Sequence, residues 1–179
     1  EKAGDVMRVV FLKEFQKVSM TEQKEYISKL ISILSPIKVM IDKTGLGIPM
    51  HDFLSQQFMN VEGVTFTAAK KEAMILNLYN YMNAGKVIIP EHEELIRQLR
   101  QFQRIQTPSG LVKYTAPEGM HDDYVIALAL AVYAATQFEQ KMNLKKRIES
   151  HRPRGLLGFR FQDILNLKKG CIVRFFSLF

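Results

Sequence analysis

The stretch at residues 38–58, KVMIDKTGLGIPMHDFLSQQF, contains a strand, a turn and a helix in succession. Residues 38–42 are almost all apolar, which is typical of a buried parallel strand, and they end in Asp42. The glycines of 43–49 predict a tight turn whose backbone can approach a ligand closely. A helix is predicted over 50–58. This unit indicates an α/β fold with an acid at the carboxyl end of a strand, where ligands gather in open α/β sheets.

The segment before this unit predicts one more strand and one more helix. Residues 6–18 are rich in Val and Phe and partly alternate, which favours a strand. Ser19 and Glu22 have the spacing of a capping box. They predict a helix over 21–35, which ends before Pro36 because proline cannot continue a helix.

Strands and helices continue to alternate after residue 58. The predicted elements are strands at 63–69 and 86–90, helices at 71–84 and 91–103, a hairpin at 104–116 around Pro108-Ser109-Gly110, and an apolar helix at 121–139. This order predicts an α/β fold with a mainly parallel sheet covered by helices.

Composition limits the cell compartment and the classes of site. No apolar run reaches the ~18–20 residues of a membrane span, and no secretory signal is visible. Cys171 is the single cysteine, which excludes an internal disulfide and a multi-cysteine zinc site. We therefore expect an intracellular, reduced protein of 179 residues, with room for one domain or a domain plus a tail.

The net charge of +7 is concentrated at the end of the chain. Residues 141–179 carry ten Lys/Arg against two acids, a net charge of +8, which leaves residues 1–140 at −1. We therefore predict a domain at 1–140 and a basic C-terminal tail at 141–179. Such a tail is compatible with binding to phosphate backbones, and equally with a solvated segment that has no partner.

A second acidic feature lies at residues 117–127, PEGMHDDYVIA. His121, Asp122 and Asp123 stand where an irregular segment gives way to the last apolar helix. An aspartate there can cap the helix, and Asp42 alone can cap its turn. Two adjacent acids exceed what one cap needs, and carboxylates also suit Mg²⁺, so both interpretations stay open.

Other kinds of site find less support in the residues. The TGLG turn at 44–47 lacks the length and the Gly-Lys-Ser/Thr ending of a phosphate loop. His51 and His92 are interpreted as surface or packing residues. No serine or cysteine has a convincing set of catalytic partners.

Three segments together resemble a known family. VMIDKTGLGIPMHDFL (39–54), GVTFTAAKKEAMILNLYNYMNAGKVIIP (63–90) and HDDYVIALALAVYA (121–134) look like the nuclease domain of tailed-phage terminase large subunits. The resemblance covers roughly residues 6–138. It rests on the order of a strand-end Asp, a Gly-Leu-Gly turn, a Lys-bearing helix, a strand ending in Ile-Pro, a hairpin and a His-Asp-Asp helix.

The resemblance implies a ribonuclease-H-like fold, with a mixed sheet flanked by helices, that cuts concatemeric double-stranded viral DNA with two Mg²⁺ or Mn²⁺ ions. It implies the ATPase domain of the same parent protein, the small terminase subunit and the portal as partners, no membrane, and the cytoplasm of an infected bacterial host. The implied catalytic and metal-binding residues are Asp42, Asp122 and Asp123, with His121 as a possible accessory. The implied DNA-binding residues are Lys43, Lys70, Lys71, Lys145, Lys146 and Arg147.

The sequence also departs from the family pattern at its beginning. By this resemblance the family's first strand, which carries a further Asp, is expected to be missing, which would leave two halves of the sheet unpaired. The chain is then either a fragment of a longer protein or a degenerate remnant. Three hypotheses stay open: a terminase nuclease domain, a non-catalytic fragment that binds DNA or a partner, and another ribonuclease-H-like nuclease such as a Holliday-junction resolvase.

Overall fold

A computed structural model describes residues 2–3, 6–108, 110 and 112–150. Their strands are β1 (Lys2–Ala3), β2 (Val6–Arg8), β3 (Val39–Asp42), β4 (Val61–Val64), β5 (Val87–Ile88), β6 (Gln103–Gln106) and β7 (Val112–Thr115). Their helices are α1 (Met20–Leu34), α2 (Gly47–Gln57), α3 (Ala68–Asn83), α4 (Glu93–Gln101) and α5 (Asp123–Ser150). Within this part of the chain, no helix combines the length and apolar character needed to cross a membrane.

The strands form three separate small sheets. In the first, β1 pairs antiparallel with β2, and β2 pairs parallel with β5. In the second, β3 pairs parallel with β4, so that Asp42 lies opposite Val64. The third is the antiparallel hairpin of β6 and β7. Among the described strands, the first two sheets share no ladder.

Two apolar clusters cover the faces of these sheets. One cluster packs α5 against α3 and β2, with Met74, Leu78 and Leu128 buried in it. The other packs α1 and α2 against β3. Because side chains alternate along a strand, Val39 belongs to the second cluster and Met40 to the first. Asp42 therefore lies on the Met40 side of β3, toward α5.

Helix α1 begins as its sequence predicts. Ser19 accepts a hydrogen bond from the Glu22 backbone N–H, and the Glu22 side chain accepts one from the Ser19 N–H at 3.0 Å. Both halves of the predicted capping box are therefore present.

The predicted strands at the start of the chain and after α2 are too long. Strand β2 ends at Arg8 and not at 18; the apolar residues beyond it pack into the cores, as Leu12 and Phe15 do. Strand β4 covers Val61–Val64 and not 63–69, because Thr67 is the N-cap of α3 and accepts a hydrogen bond from the Lys70 N–H.

Helix α5 is longer than predicted. It continues to Ser150, whereas the predicted helix ends at 139. Residues 140–150 consist largely of Lys, Arg, Gln, Glu, Met and Leu, which have good intrinsic helix propensity, so the polar composition there does not end the helix. The division of the chain at residue 140 stays a prediction, and residues 151–179 of the predicted tail lie outside the described residues.

Candidate active site

A cleft of about 500 Å³ opens between the end of β3, the turn that follows it and the first turns of α5. Its charged lining consists of Asp42, Lys71, Asp122 and Asp123. Its apolar lining comes from β3, α5 and the segment before α3: Ile41, Phe66, Ile126, Ala127 and Leu130. The cleft thus gathers three carboxylates that the sequence places on two segments 80 positions apart.

The backbone around Asp42 is closely packed. A Cβ atom on residue 47 would lie only 1.7 Å from the carbonyl oxygen of Asp42, so only glycine fits at this position. Gly47 begins α2, and its N–H donates to the Thr44 carbonyl at 2.9 Å. The turn can therefore fold back onto the end of β3 only because position 47 has no side chain.

The carboxylate of Asp42 is half-buried in this turn. Burial raises the pKa of Asp42, while a 2.7 Å hydrogen bond from Thr44 Oγ1 and the positive charge of Lys71 oppose that rise. The carboxylate therefore has a hydroxyl donor on one side and the Lys71 ammonium near it.

Asp122 and Asp123 stand at the beginning of α5. The Asp122 carbonyl accepts the first helical hydrogen bond, from the Ile126 N–H at 2.9 Å, so Asp122 is the N-cap residue. Its side-chain Oδ2 lies 3.1 Å from Lys71 Nζ. Asp123 Oδ2 lies 3.6 Å from His121 Nδ1, and the imidazole of His121 is largely exposed.

The environment of Asp123 disfavours its charged form. Burial raises the pKa of Asp123, and the neighbouring negative charge of Asp122 raises it further. A cation beside Asp122 and Asp123 would relieve both effects, because it would neutralise negative charge that the cleft shields from water.

A residue that the sequence analysis missed caps α5. The Tyr124 N–H is one that an aspartate at the N-cap would ordinarily bind, yet it donates to Gln98 Oε1 of α4 at 2.9 Å. Gln98 is buried, with 3% of its surface exposed. No local sequence signal indicates this contact, since Gln98 and Tyr124 are distant in the chain and a glutamine in a charged helix resembles a surface residue.

Of the predicted DNA-binding lysines, Lys71 lines the cleft. Lys70 lies elsewhere, where its ammonium binds the Tyr133 hydroxyl and stands 4.4 Å from the centre of the Tyr133 ring. Lys43 lies beside Gly63 and 3.7 Å from Asp52 of α2. The side chains of Lys145, Lys146 and Arg147 lie outside the described residues.

The donors in the cleft suit a hard divalent cation in kind. Carboxylate oxygens are the ligands that Mg²⁺ and Mn²⁺ prefer. The number of grouped ligands is too small, however: across the described residues, no group of three or more His, Cys, Asp or Glu is placed to hold a metal ion. Lys71 also occupies one oxygen of Asp122. The residues therefore fit a metal by their chemistry but form an incomplete ligand set.

A second groove of about 560 Å³ adjoins the cleft. It lies between the start of α3 and the β6–β7 hairpin, and Lys71 lines both spaces. Gln103, Lys113 and Thr115 of the hairpin give it a polar wall, to which Glu118 adds one negative charge.

Comparison with known proteins supports the resemblance. No family model matches the chain. Over 150 residues, or 83% of the chain, it is 28% identical to the terminase large subunit of Thermus virus P23-45. It is equally similar, at 28% over 150 residues, to the terminase large subunit of Thermus phage G20c. The chain spans about 30% of the length of these curated relatives.

Solved structures show the same likeness. The large terminase nuclease of thermophilic phage G20c with bound cobalt aligns with a TM-score of 0.60 and 28% identity, over 66% of this chain and 64% of that one. The large terminase nuclease domain of Thermus phage P74-26 aligns with a TM-score of 0.57 and 26% identity, over 65% of this chain and 60% of that one. The G20c nuclease has also been solved with bound magnesium. The predicted resemblance and the ribonuclease-H-like α/β fold class are thus confirmed.

Proposed function

We propose that this chain carries the nuclease part of a viral genome-packaging terminase large subunit, and that the cleft cuts concatemeric double-stranded DNA with divalent metal ions. The observation that supports this most is the meeting of Asp42, Asp122, Asp123 and Lys71 in one cleft. Carboxylates on one wall and an ammonium beside them suit a phosphodiester, which carries negative charge and reacts when metal ions neutralise that charge.

Asp42, Asp122 and Asp123 are the residues that would hold Mg²⁺ or Mn²⁺, as two ions. When bound, such ions activate a water and stabilise the leaving oxygen of a phosphodiester. Burial raises the pKa of Asp42, and burial together with the charge of Asp122 raises the pKa of Asp123, so both carboxylates ionise less readily in the cleft than in water. A cation is therefore the ligand that the cleft electrostatically favours.

Lys71 has the position from which a cation can bind the DNA backbone. Its ammonium lines the cleft and also the groove beside the β6–β7 hairpin. A phosphate that enters between the two spaces would replace Asp122 as the partner of Lys71 or share Lys71 with it. Lys43 and Lys70 would contribute positive charge outside the cleft, as would Lys145, Lys146 and Arg147 of the tail.

The remaining parts of this proposal concern the assembly. The ATPase domain of the same parent protein, the small terminase subunit and the portal would be the partners. The reaction would take place in the cytoplasm of the infected bacterium. Similarity over about 30% of the length of terminase large subunits supports the nuclease part and leaves these partners as inferences.

The test measures metal binding and cleavage together. In Mn²⁺, the chain should nick supercoiled plasmid DNA, and chelation should abolish nicking. Asp42→Ala and Asp123→Ala should each weaken Mn²⁺ affinity by about tenfold or more in titration calorimetry, since each removes a carboxylate ligand. Asp52→Ala removes an exposed acid outside the cleft and is the matched control.

The pH dependence sharpens the same test. Because the pKa values of Asp42 and Asp123 are raised, protons should compete with Mn²⁺ at a higher pH than they would for ordinary aspartates. Affinity that is unchanged in both alanine variants would refute the metal site. An absence of Mn²⁺-dependent nicking by the unaltered chain would refute its own nuclease activity.

A non-catalytic role is the second candidate, because the described residues do not provide three grouped metal ligands. In that case the chain would bind DNA or a packaging partner without cutting. Salt-sensitive DNA binding together with intact plasmid after incubation in Mn²⁺ would identify it.

A further inference from the structure

We infer that Gln98 is a positioning residue for the acidic cleft: it caps α5 in place of Asp122 and so leaves the Asp122 carboxylate free to face the cleft. The link from Gln98 to metal binding rests on the proposed function. The role of Gln98 as a cap rests only on its hydrogen bonds.

The start of α5 has a helical N–H that needs an acceptor. The first N–H groups of a helix have no partner within the helix, and a buried one left unpaired costs free energy. Tyr124 is buried, with 7% of its surface exposed, and its N–H is met by Gln98 Oε1 at 2.9 Å.

The carboxamide of Gln98 is held in the orientation that this bond requires. Its Nε2 donates to Glu94 Oε1 at 2.9 Å. Arg97 donates to both oxygens of Glu94, at 2.8 and 2.7 Å. Because Nε2 is fixed on Glu94, Oε1 points to Tyr124.

Asp122 is the residue that would otherwise take this role. A side chain at the N-cap accepts from the second or third N–H of its helix, and Tyr124 is the second residue of α5. In the structure, the Asp122 carboxylate pairs with Lys71 and lines the cleft instead. If the Gln98 oxygen were removed, we expect Asp122 to rotate onto the Tyr124 N–H and away from Lys71.

The experiment compares two buried polar residues, Gln98 on α4 and Thr136 within α5. Gln98→Met keeps a similar volume and removes the acceptor. Thr136→Val is the matched control: Thr136 is also buried, with 5% exposed, and binds Asn77 at 3.2 Å. It lies twelve residues along α5 from Tyr124, which is about 18 Å in an α-helix. Both substitutions should lower the urea midpoint of the chain.

Two readouts separate positioning from mere stability. The first is the side-chain ¹³Cγ resonance of Asp122 at constant pH, which should move in Gln98→Met and stay in place in Thr136→Val. The second is Mn²⁺ affinity by calorimetry, which should fall at least about fivefold in Gln98→Met and by less than about twofold in Thr136→Val.

The outcomes are distinguishable. An unmoved Asp122 resonance in Gln98→Met, or equal losses of affinity in both variants, would overturn the inference. If the unaltered chain bound no Mn²⁺, the proposed function would fail and the resonance alone would decide the role of Gln98. Should Gln98→Met not fold, Glu94→Ala is the second variant, because it frees the Gln98 carboxamide by a substitution at a more exposed position. It should move the Asp122 resonance by a smaller amount, and no movement there would overturn the inference.

Discussion

At the scale of single residues, two adjacent lysines of α3 have different partners. Lys71 Nζ lies 3.1 Å from Asp122 and lines the cleft. Lys70 binds Tyr133 through its hydroxyl and its ring. Successive residues of a helix point about 100° apart, so one side chain of such a pair reaches the cleft while the other packs along α5.

This difference predicts unequal effects on DNA binding. Lys71→Met should weaken affinity for duplex DNA about threefold to tenfold at low salt, and should reduce the slope of log K against log salt by about 1, which is the effect of one lost phosphate contact. The check is fluorescence anisotropy of a labelled duplex in Ca²⁺ over a series of salt concentrations.

Lys70→Met is the matched control for this comparison. It removes the same charge from the neighbouring position, and the salt slope should change by less than half as much, because Lys70 is already engaged with Tyr133. Equal slopes for the two variants would contradict the assignment of Lys71 to the DNA backbone.

At the scale of elements, the unit from β3 to α2 depends on one glycine. A Cβ on Gly47 would lie 1.7 Å from the carbonyl oxygen of Asp42, and that oxygen cannot move without displacing the end of β3. Gly47→Ala should therefore lower the free energy of unfolding by about 2 kcal/mol or more and weaken Mn²⁺ affinity as well, since Asp42 would shift.

Gly45 provides the comparison within the same turn. It has a φ of +49° and open space around its Cβ position. Gly45→Ala should cost about 1 kcal/mol from the left-handed backbone alone, and it should lower Mn²⁺ affinity much less than Gly47→Ala does, because Asp42 would not be displaced. Urea titration and calorimetry of both variants test the pair, and a Gly47→Ala variant as stable as Gly45→Ala would refute the close approach.

The same elements show what the sequence could predict. Strand β3, its terminal Asp42 and the helix after it were predictable because an apolar run, a glycine turn and a helical pattern are local signals. So was the beginning of α1, through its capping box. The end of α5 was not predictable from a change in composition, since the polar residues 140–150 are good helix formers.

The site was predictable in part for a related reason. The acids stand at element ends, where local patterns place them, and their meeting in one cleft agrees with the resemblance. The choice between Lys70 and Lys71 depends on how α3 packs on α5, which no local pattern encodes. The cap by Gln98 depends on a contact between two helices, so it appears only in the folded chain.

At the scale of the whole molecule, the excess positive charge lies in a different part of the sequence from the acids of the cleft. Residues 1–140 carry a net charge of −1, whereas residues 141–179 carry +8. The cleft adds three carboxylates to the surface that would face DNA. Metal ions can neutralise these carboxylates, but the positive charge that attracts a duplex has to come from the basic segment. Because charges are screened over about 10 Å at 0.1 M salt, that segment attracts DNA only near its own position.

The whole-molecule prediction therefore concerns the basic segment at the end of α5. Replacing Lys145, Lys146 and Arg147 with Gln should reduce the slope of log K against log salt by about 2 to 3 for duplex DNA, one unit for each lost phosphate contact.

Replacing Lys13, Lys17 and Lys29 with Gln makes the same change in net charge at exposed positions outside α5, and should reduce that slope by less than about 1. If both triple variants lowered the slope equally, DNA attraction would depend on net charge alone and the end of α5 would have no specific part in it. A loss confined to the Lys145, Lys146 and Arg147 variant would locate the DNA-binding surface there, with plasmid nicking at low salt reduced much less than binding, because the carboxylates of the cleft are unaltered.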